Sequence, residues 1–168
     1  MALKKVLTIA GSDTSAGAGM QADLKTFQEL DTYGMVALTA VVTMDKETWS
    51  HDVTPLPMDL FEKQLETAIS IGPDAVKTGM LGTQEIIKRA GEAFEESGAQ
   101  YFVVDPVMVC KGEDEVLNPG NTDAMIEYLL PKATVVTPNL FEAGQLSGLG
   151  KLTSIENMKK AADIIFNQ

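Results

Sequence analysis

The sequence predicts an α/β fold of three layers, with a mainly parallel central sheet covered by helices on both faces. Short apolar runs alternate along the chain with longer stretches whose apolar residues recur at helical spacing. Gly- and Pro-containing breaks such as Gly72-Pro73 and Asp105-Pro106 separate them. The chain is 45% hydrophobic but only 6% aromatic, so Ala, Val, Ile, Leu and Met supply the core, as buried strands and covering helices require.

In order, residues 5–10 read as a buried strand ending at Gly11, followed by a glycine-rich loop to Gly19. Met20, Leu24, Phe27 and Leu30 stripe the first helix. Residues 36–43 form the second strand, and the polar segment 45–52 leads to Val53 through a hairpin or flap. Pro57 opens a helix striped by Met58, Phe61, Leu65 and Ala68, which Gly72-Pro73 ends. Residues 75–78 are a strand, and Thr83 caps a helix carrying Ile86, Ile87, Ala90 and Phe94. Residues 101–104 are a strand ending at Asp105-Pro106, and 112–120 a polar loop. Met125, Ile126, Leu129 and Leu130 mark a helix. Residues 134–136 are a strand, and 140–146 a helix. Thr153 and Glu156 have the spacing of a capping box for a last helix, striped by Ile155, Met158, Ala162 and Ile165. With neither repeat nor linker, residues 1–168 read as one domain.

The net charge of −11 argues against nucleic acid and against anionic membrane surfaces, which need basic footprints. One cysteine and one histidine exclude an intrachain disulfide and a Cys/His zinc site. The N-terminal apolar run is too short for a signal peptide, so a cytoplasmic protein is expected.

In parallel sheets ligands bind beyond the carboxyl ends of the strands. That rule selects the Gly11 loop, Met44-Asp45, Gly79-Met80, residues 105–110 and residues 138–142. The Gly11 loop can approach a ligand closely or simply connect two elements. It lacks the Walker A pattern, and Gly17-x-Gly19-x-x-Ala22 begins too far from the strand end for a dinucleotide fingerprint. Asp105 either faces the crevice, where it holds Mg²⁺, or starts a turn. Asn139 and Glu142 either position Mg²⁺ and phosphates or cap the helix. Cys110, beside Lys111, is an accessible thiolate or an inert thiol. His51 is a solvated side chain or a ligand contact. Met80 and Met108 fill the core or wall a flat aromatic pocket.

The run Ile9-Ala-Gly-Ser-Asp-Thr-Ser-Ala-Gly-Ala-Gly-Met-Gln-Ala-Asp-Leu-Lys-Thr26 resembles the N-terminal signature of bacterial hydroxymethylpyrimidine and phosphomethylpyrimidine kinases. Lys77-Thr-Gly-Met-Leu81, Val104-Asp-Pro-Val-Met108 and Thr137-Pro-Asn-Leu-Phe-Glu142 resemble that family's further motifs in the same order. The resemblance implies a ribokinase-like fold, present here as its N-terminal part, and transfer of the ATP γ-phosphoryl group to a primary hydroxyl. It implies a substrate pocket with Gly11, Asp23, Met80 and Val107, Mg²⁺ at Asp105 and Glu142, and nucleotide phosphates at Asn139 and Glu142. Where the pyrimidine kinases carry glutamine then asparagine after the second strand, this chain has Met44-Asp45, and methionine cannot read an aminopyrimidine by hydrogen bonds. With His51 and Cys110, that departure is similar to a pyridoxal kinase subgroup with staphylococcal members, in which a lid cysteine adds to the pyridoxal aldehyde. Met44, His51 and Cys110 therefore join the expected substrate contacts. The expected substrates are pyridoxal, pyridoxine or pyridoxamine, with hydroxymethylpyrimidine as a second. A homodimer is one assembly the resemblance leaves open. The family continues into a glycine-rich anion hole, a cysteine or aspartate base and most of the adenine site. Without these the present chain is expected to be nearly inactive alone, with no catalytic base of its own, or to act only as a ligand-binding module.

Overall fold

The computed structural model describes residues 3–108 and 119–168. The elements are β1 Lys5–Asp13, α1 Gly19–Glu29, β2 Tyr33–Met44, β3 His51–Pro55, α2 Met58–Ser70, β4 Ala75–Thr78, α3 Gln84–Ser97, β5 Tyr101–Val104, α4 Pro119–Tyr128, β6 Val135–Val136, α5 Leu140–Leu146 and α6 Ile155–Phe166. The six strands form one sheet in the order β3-β2-β1-β4-β5-β6. All neighbours are parallel except β3, which pairs antiparallel with β2 as a hairpin. The expected α/β architecture is therefore present.

Right-handed crossovers explain the layers. The step from β1 to β2 runs one way across the sheet, and the steps from β2 to β4, β5 and β6 run the other. This sends α1 to one face and α2, α3 and α4 to the opposite face. The core lies on the second face, where Leu7, Ile9, Val76 and Phe102 from the strands meet Phe61, Leu65, Ile87 and Met125 from the helices. Phe94 and Phe102 stack with centroids 4.5 Å apart. Thr83 caps α3 by accepting from the Ile86 N–H, and Gly98 closes it in the left-handed region, as the sequence predicts.

Several elements depart from expectation. β1 does not stop at Gly11. Its register with β2 shifts between Ala10 and Ser12, and pairing then resumes at Ser12 with Val41 and Asp13 with Val42. The extra residue lies on β2, between Leu38 and Val41, while β1 continues through the glycine into the loop. The stripe of α1 has no fully buried member, and Leu30 is 68% exposed. Leu24 and Phe27 instead seat on Gly34 of β2, where an added Cβ would stand 2.7 Å from Leu24. The α4 helix ends at Tyr128, and Leu130–Lys132 form a 3₁₀ turn containing Pro131, which cannot donate to a continuing helix. The cap of α6 is Ser154, which accepts from the Asn157 N–H, rather than Thr153. In α6 only Ala161 is fully buried, and Ile155 is 71% exposed.

Candidate active site

A cavity of about 250 Å³ opens at the carboxyl ends of β1, β2, β4 and β5. Of the sequence-predicted residues, Gly11, Met44, His51, Met80, Asp105 and Val107 line it. Backbone bonds hold them there: Gly79 N–H donates to the Ile9 carbonyl (2.9 Å), Asp105 N–H to Thr78 (3.2 Å) and Val107 N–H to Asp105 (2.9 Å). The buried Thr39 hydroxyl donates to the Met80 carbonyl at 2.6 Å.

The hairpin brings His51 to the cavity wall. Met44 and His51 are register partners across β2 and β3, so both reach the cavity from one antiparallel step. Asp45 makes the turn between them, accepting from the Glu47 and Thr48 N–H groups. The glycine loop is built around Asp13. Its carboxylate accepts from the Ser15 and Ala18 N–H groups and the Ser15 hydroxyl, each at 2.8 Å. Burial opposes the charge of Asp13, but the Ser15 hydroxyl and the Ser15, Ala18 and Gly17 N–H groups outweigh it and lower its pKa. Gly19 has φ +60°, and a Cβ there would lie 2.5 Å from the Gly11 carbonyl oxygen. Only glycine lets α1 start this close to the loop.

Asp23 is placed differently from the expectation that it lines the pocket. It is absent from the cavity lining. Thr8 Oγ1 donates to its Oδ2 at 2.6 Å, and Lys77 Nζ donates to both oxygens at 3.0 and 3.1 Å. Both carboxylate oxygens are thus engaged by the protein. Lys77, which does line the cavity, also stands 3.8 Å from Asp105. Burial pushes the Asp105 carboxyl up, the Lys77 ammonium pulls it down, and the charge of Asp23 pushes it up again; it stays above its ordinary value.

Asn139 and Glu142 form the capping box that the sequence left open. Asn139 Oδ1 accepts from the Glu142 N–H at 2.9 Å, and Glu142 Oε2 accepts from the Asn139 N–H at 2.8 Å. Neither lines the cavity. Glu142 is nonetheless 4% exposed, and burial raises its pKa against the Asn139 N–H, with the charge of Asp105 adding to the rise. Beyond that box, a hydrogen bond from the Met108 N–H also acts to lower the Glu142 pKa. Among the described residues no group of three or more His, Cys, Asp or Glu side chains stands ready to hold a metal. Mg²⁺ takes one or two carboxylates and completes its shell with phosphate oxygens and water, which is the chemistry that Asp105 and Glu142 offer, and the charge of Asp105 is felt at Glu142. Cys110 lies outside the described residues.

Lys77, Asp13, Ser12 and Val42 line the cavity without having been singled out as site residues. A charged residue inside the apolar run 75–78 was the available signal for Lys77. Asp13 carried none beyond its place in a glycine loop.

The same fold recurs in solved structures. The pyridoxal kinase from Staphylococcus aureus in complex with ADP superposes with a TM-score of 0.95 at 89% identity, over 99% of this chain and 60% of that one. The pyridoxal kinase from Staphylococcus aureus in complex with pyridoxal gives a TM-score of 0.96 at 87% identity, over 99% and 62%. A hydroxymethylpyrimidine/phosphomethylpyrimidine kinase of Bacillus subtilis (strain 168) is 43% identical over 164 residues, which is 97% of this chain and 60% of that protein. The chain spans about 60% of the length of the curated relatives it matches. The family model described as phosphomethylpyrimidine kinase matches residues 13–168. With the four motifs in order and that match across nearly its whole length, the chain belongs to the phosphomethylpyrimidine kinase family.

Proposed function

We propose that this chain is the substrate-binding part of an ATP- and Mg²⁺-dependent kinase that phosphorylates the hydroxymethyl group of pyridoxal, pyridoxine or pyridoxamine. That is a reaction of vitamin B6 salvage. The observation that carries the reading is the cavity wall. Met44, Met80, Val42 and Val107 offer apolar surface to a flat ring, while Lys77 and Asp105 supply charge at one place. Met44 removes the amide that would read an aminopyrimidine edge. The structures of pyridoxal kinase with pyridoxal and with ADP support the same substrate and nucleotide here.

In this reading Gly11, Met44, His51, Met80 and Val107 seat the ring, and Asp23 acts on it through Lys77. Cys110 closes over the aldehyde, as the family resemblance implies. Asp105 and Glu142 would hold Mg²⁺, which offsets charge on the transferring phosphates when bound. Asn139 and Glu142 would face the nucleotide phosphates. The work of these residues is positioning: phosphoryl transfer needs the hydroxyl and the phosphate in line more than it needs covalent help. Residues 1–168 form one domain of this kinase, working in the cytoplasm and open to pairing as a homodimer. No helix among the described residues is long and apolar enough to cross a membrane.

The test is turnover by the full-length protein that carries this chain. With ATP and Mg²⁺ it should convert each B6 vitamer to its 5′-phosphate with release of ADP. Failure on every vitamer, with turnover of hydroxymethylpyrimidine, would assign it to the thiamine-biosynthesis reaction, the reading favoured by the 43% identical relative. Pyridoxal affinity without ADP release in any assay would leave a binding module.

A further inference from the structure

Lys77 sits where an apolar strand offers no reason for a charge. Its neighbours Val76 and Thr78 are 1% and 0% exposed on the core face. Its own side chain, 22% exposed, turns to the opposite face, beneath α1. Thr8 is its register partner on β1, so the two side chains stand together and hold the Asp23 carboxylate between them. Gly79 keeps the space above open: a Cβ there would lie 3.4 Å from Lys77 Nζ.

An ammonium has three N–H donors. Two of those on Lys77 go to the two oxygens of Asp23. The Asp105 carboxylate, at 3.8 Å, attracts the ammonium but lies beyond hydrogen-bond length. One donor therefore remains at the cavity wall. Lys77 is the single Lys or Arg among the described cavity-lining residues.

Resting on the kinase reading above, the geometry points to Lys77 as a substrate-contacting residue: its remaining N–H donates to the hydroxymethyl oxygen that attacks the phosphoryl group, and Asp23 with Thr8 aims it. The oxygen is chosen by place. Lys77 stands beside Asp105, the end at which the phosphates arrive, so the substituent that meets it is the one to be phosphorylated. The contact transfers no proton. One lone pair of the hydroxyl oxygen accepts from Lys77 and the other is left facing phosphorus, while the hydroxyl proton leaves to the base. Asp23 is then a positioning residue, which accounts for a carboxylate whose two oxygens are already bound by the protein.

The experiment is a binding cycle on the full-length protein, read by calorimetry without ATP. The ligands are pyridoxine and its 5-deoxy analogue, in which a methyl replaces the hydroxymethyl group. Lys77→Met should weaken pyridoxine by about tenfold or more, the effect of losing a charged hydrogen bond. It should leave the analogue within about twofold of the parent protein. Equal losses for both ligands, or no loss for either, would overturn the assignment, because a merely structural lysine does not distinguish them. Lys77→Met leaves Asp23 without its cation, so the Asp23→Asn/Lys77→Met double variant is put through the same cycle with the same expectation. A parent protein that neither binds nor phosphorylates pyridoxine would defeat the kinase reading itself. A working parent with a flat cycle defeats the role of Lys77 alone.

Discussion

One face of the sheet presents Leu7, Ile9, Met35, Val76, Phe102 and Val104 to α2, α3 and α4, each no more than 7% exposed. The other presents Thr8 and Lys77 to α1, a helix with no fully buried residue, and leaves Tyr101 49% exposed. The first face is held by area removed from water, which is indifferent to direction. The second is held where it matters by a directed chain of polar contacts, from Thr8 to Asp23 to Lys77 and on toward Asp105. Alternate residues of the same strands feed both, so one strand builds a core on one side and a site on the other.

The sharpest break in that comparison is Phe61→Ala against Leu24→Ala. Phe61 is fully buried under the first face, and its loss should cost about 3–5 kcal/mol in denaturant unfolding. Leu24 is only partly buried, and its truncation should cost less than about 2 kcal/mol. Equal costs would show that the faces do not differ in kind. Next comes Gly19→Ala. The left-handed backbone and the 2.5 Å approach to the Gly11 carbonyl should make it about 1–3 kcal/mol less stable. Pyridoxine affinity should fall with it, because the loop lines the cavity.

Thr8→Val keeps shape and removes one donor to Asp23. It should cost about 1–2 kcal/mol by thermal unfolding and loosen the polar chain without touching the core. The smallest effect is expected at Glu142→Gln in magnesium-free buffer. Burial holds the folded pKa of Glu142 above its unfolded value, so the folded protein binds that proton more tightly. The ionised carboxylate costs stability above the folded pKa, and that cost disappears as pH falls through it. The glutamine variant should therefore match or exceed the parent in stability at pH 8. The gain should fade toward the ordinary carboxylate range. A variant that is less stable at pH 8 than at pH 5, relative to the parent, would reverse the sign.

What was legible in the sequence follows the same division. β4, β5 and α5 fall where periodicity and turn residues put them, because burial on the first face imposes a simple pattern. The α6 stripe of Ile155, Met158, Ala162 and Ile165 has the right spacing, yet spacing alone does not say that a face is covered. The continuation of β1 past Gly11 was hidden because glycine reads as a strand end, whereas β2 keeps pairing with β1 beyond it after a one-residue shift on the β2 side. At the site, Gly11, Met44, Met80, Asp105 and Val107 were singled out by motifs and strand ends and His51 by the resemblance alone, and all six line one cavity. Lys77 was not, since its meaning depends on Thr8 and Asp23, which only the folded register brings beside it. The placement of Asp23 was missed for the same reason.

The kinase reading requires the cavity at the strand ends to seat a heteroaromatic alcohol. A crystal structure of the full-length protein with pyridoxine bound tests this most directly. The ring should lie against Met44, Met80 and Val107, with the hydroxymethyl oxygen within hydrogen-bond distance of Lys77 Nζ and facing Asp105. Pyridoxine bound at any other surface, with this cavity left to solvent, would contradict it.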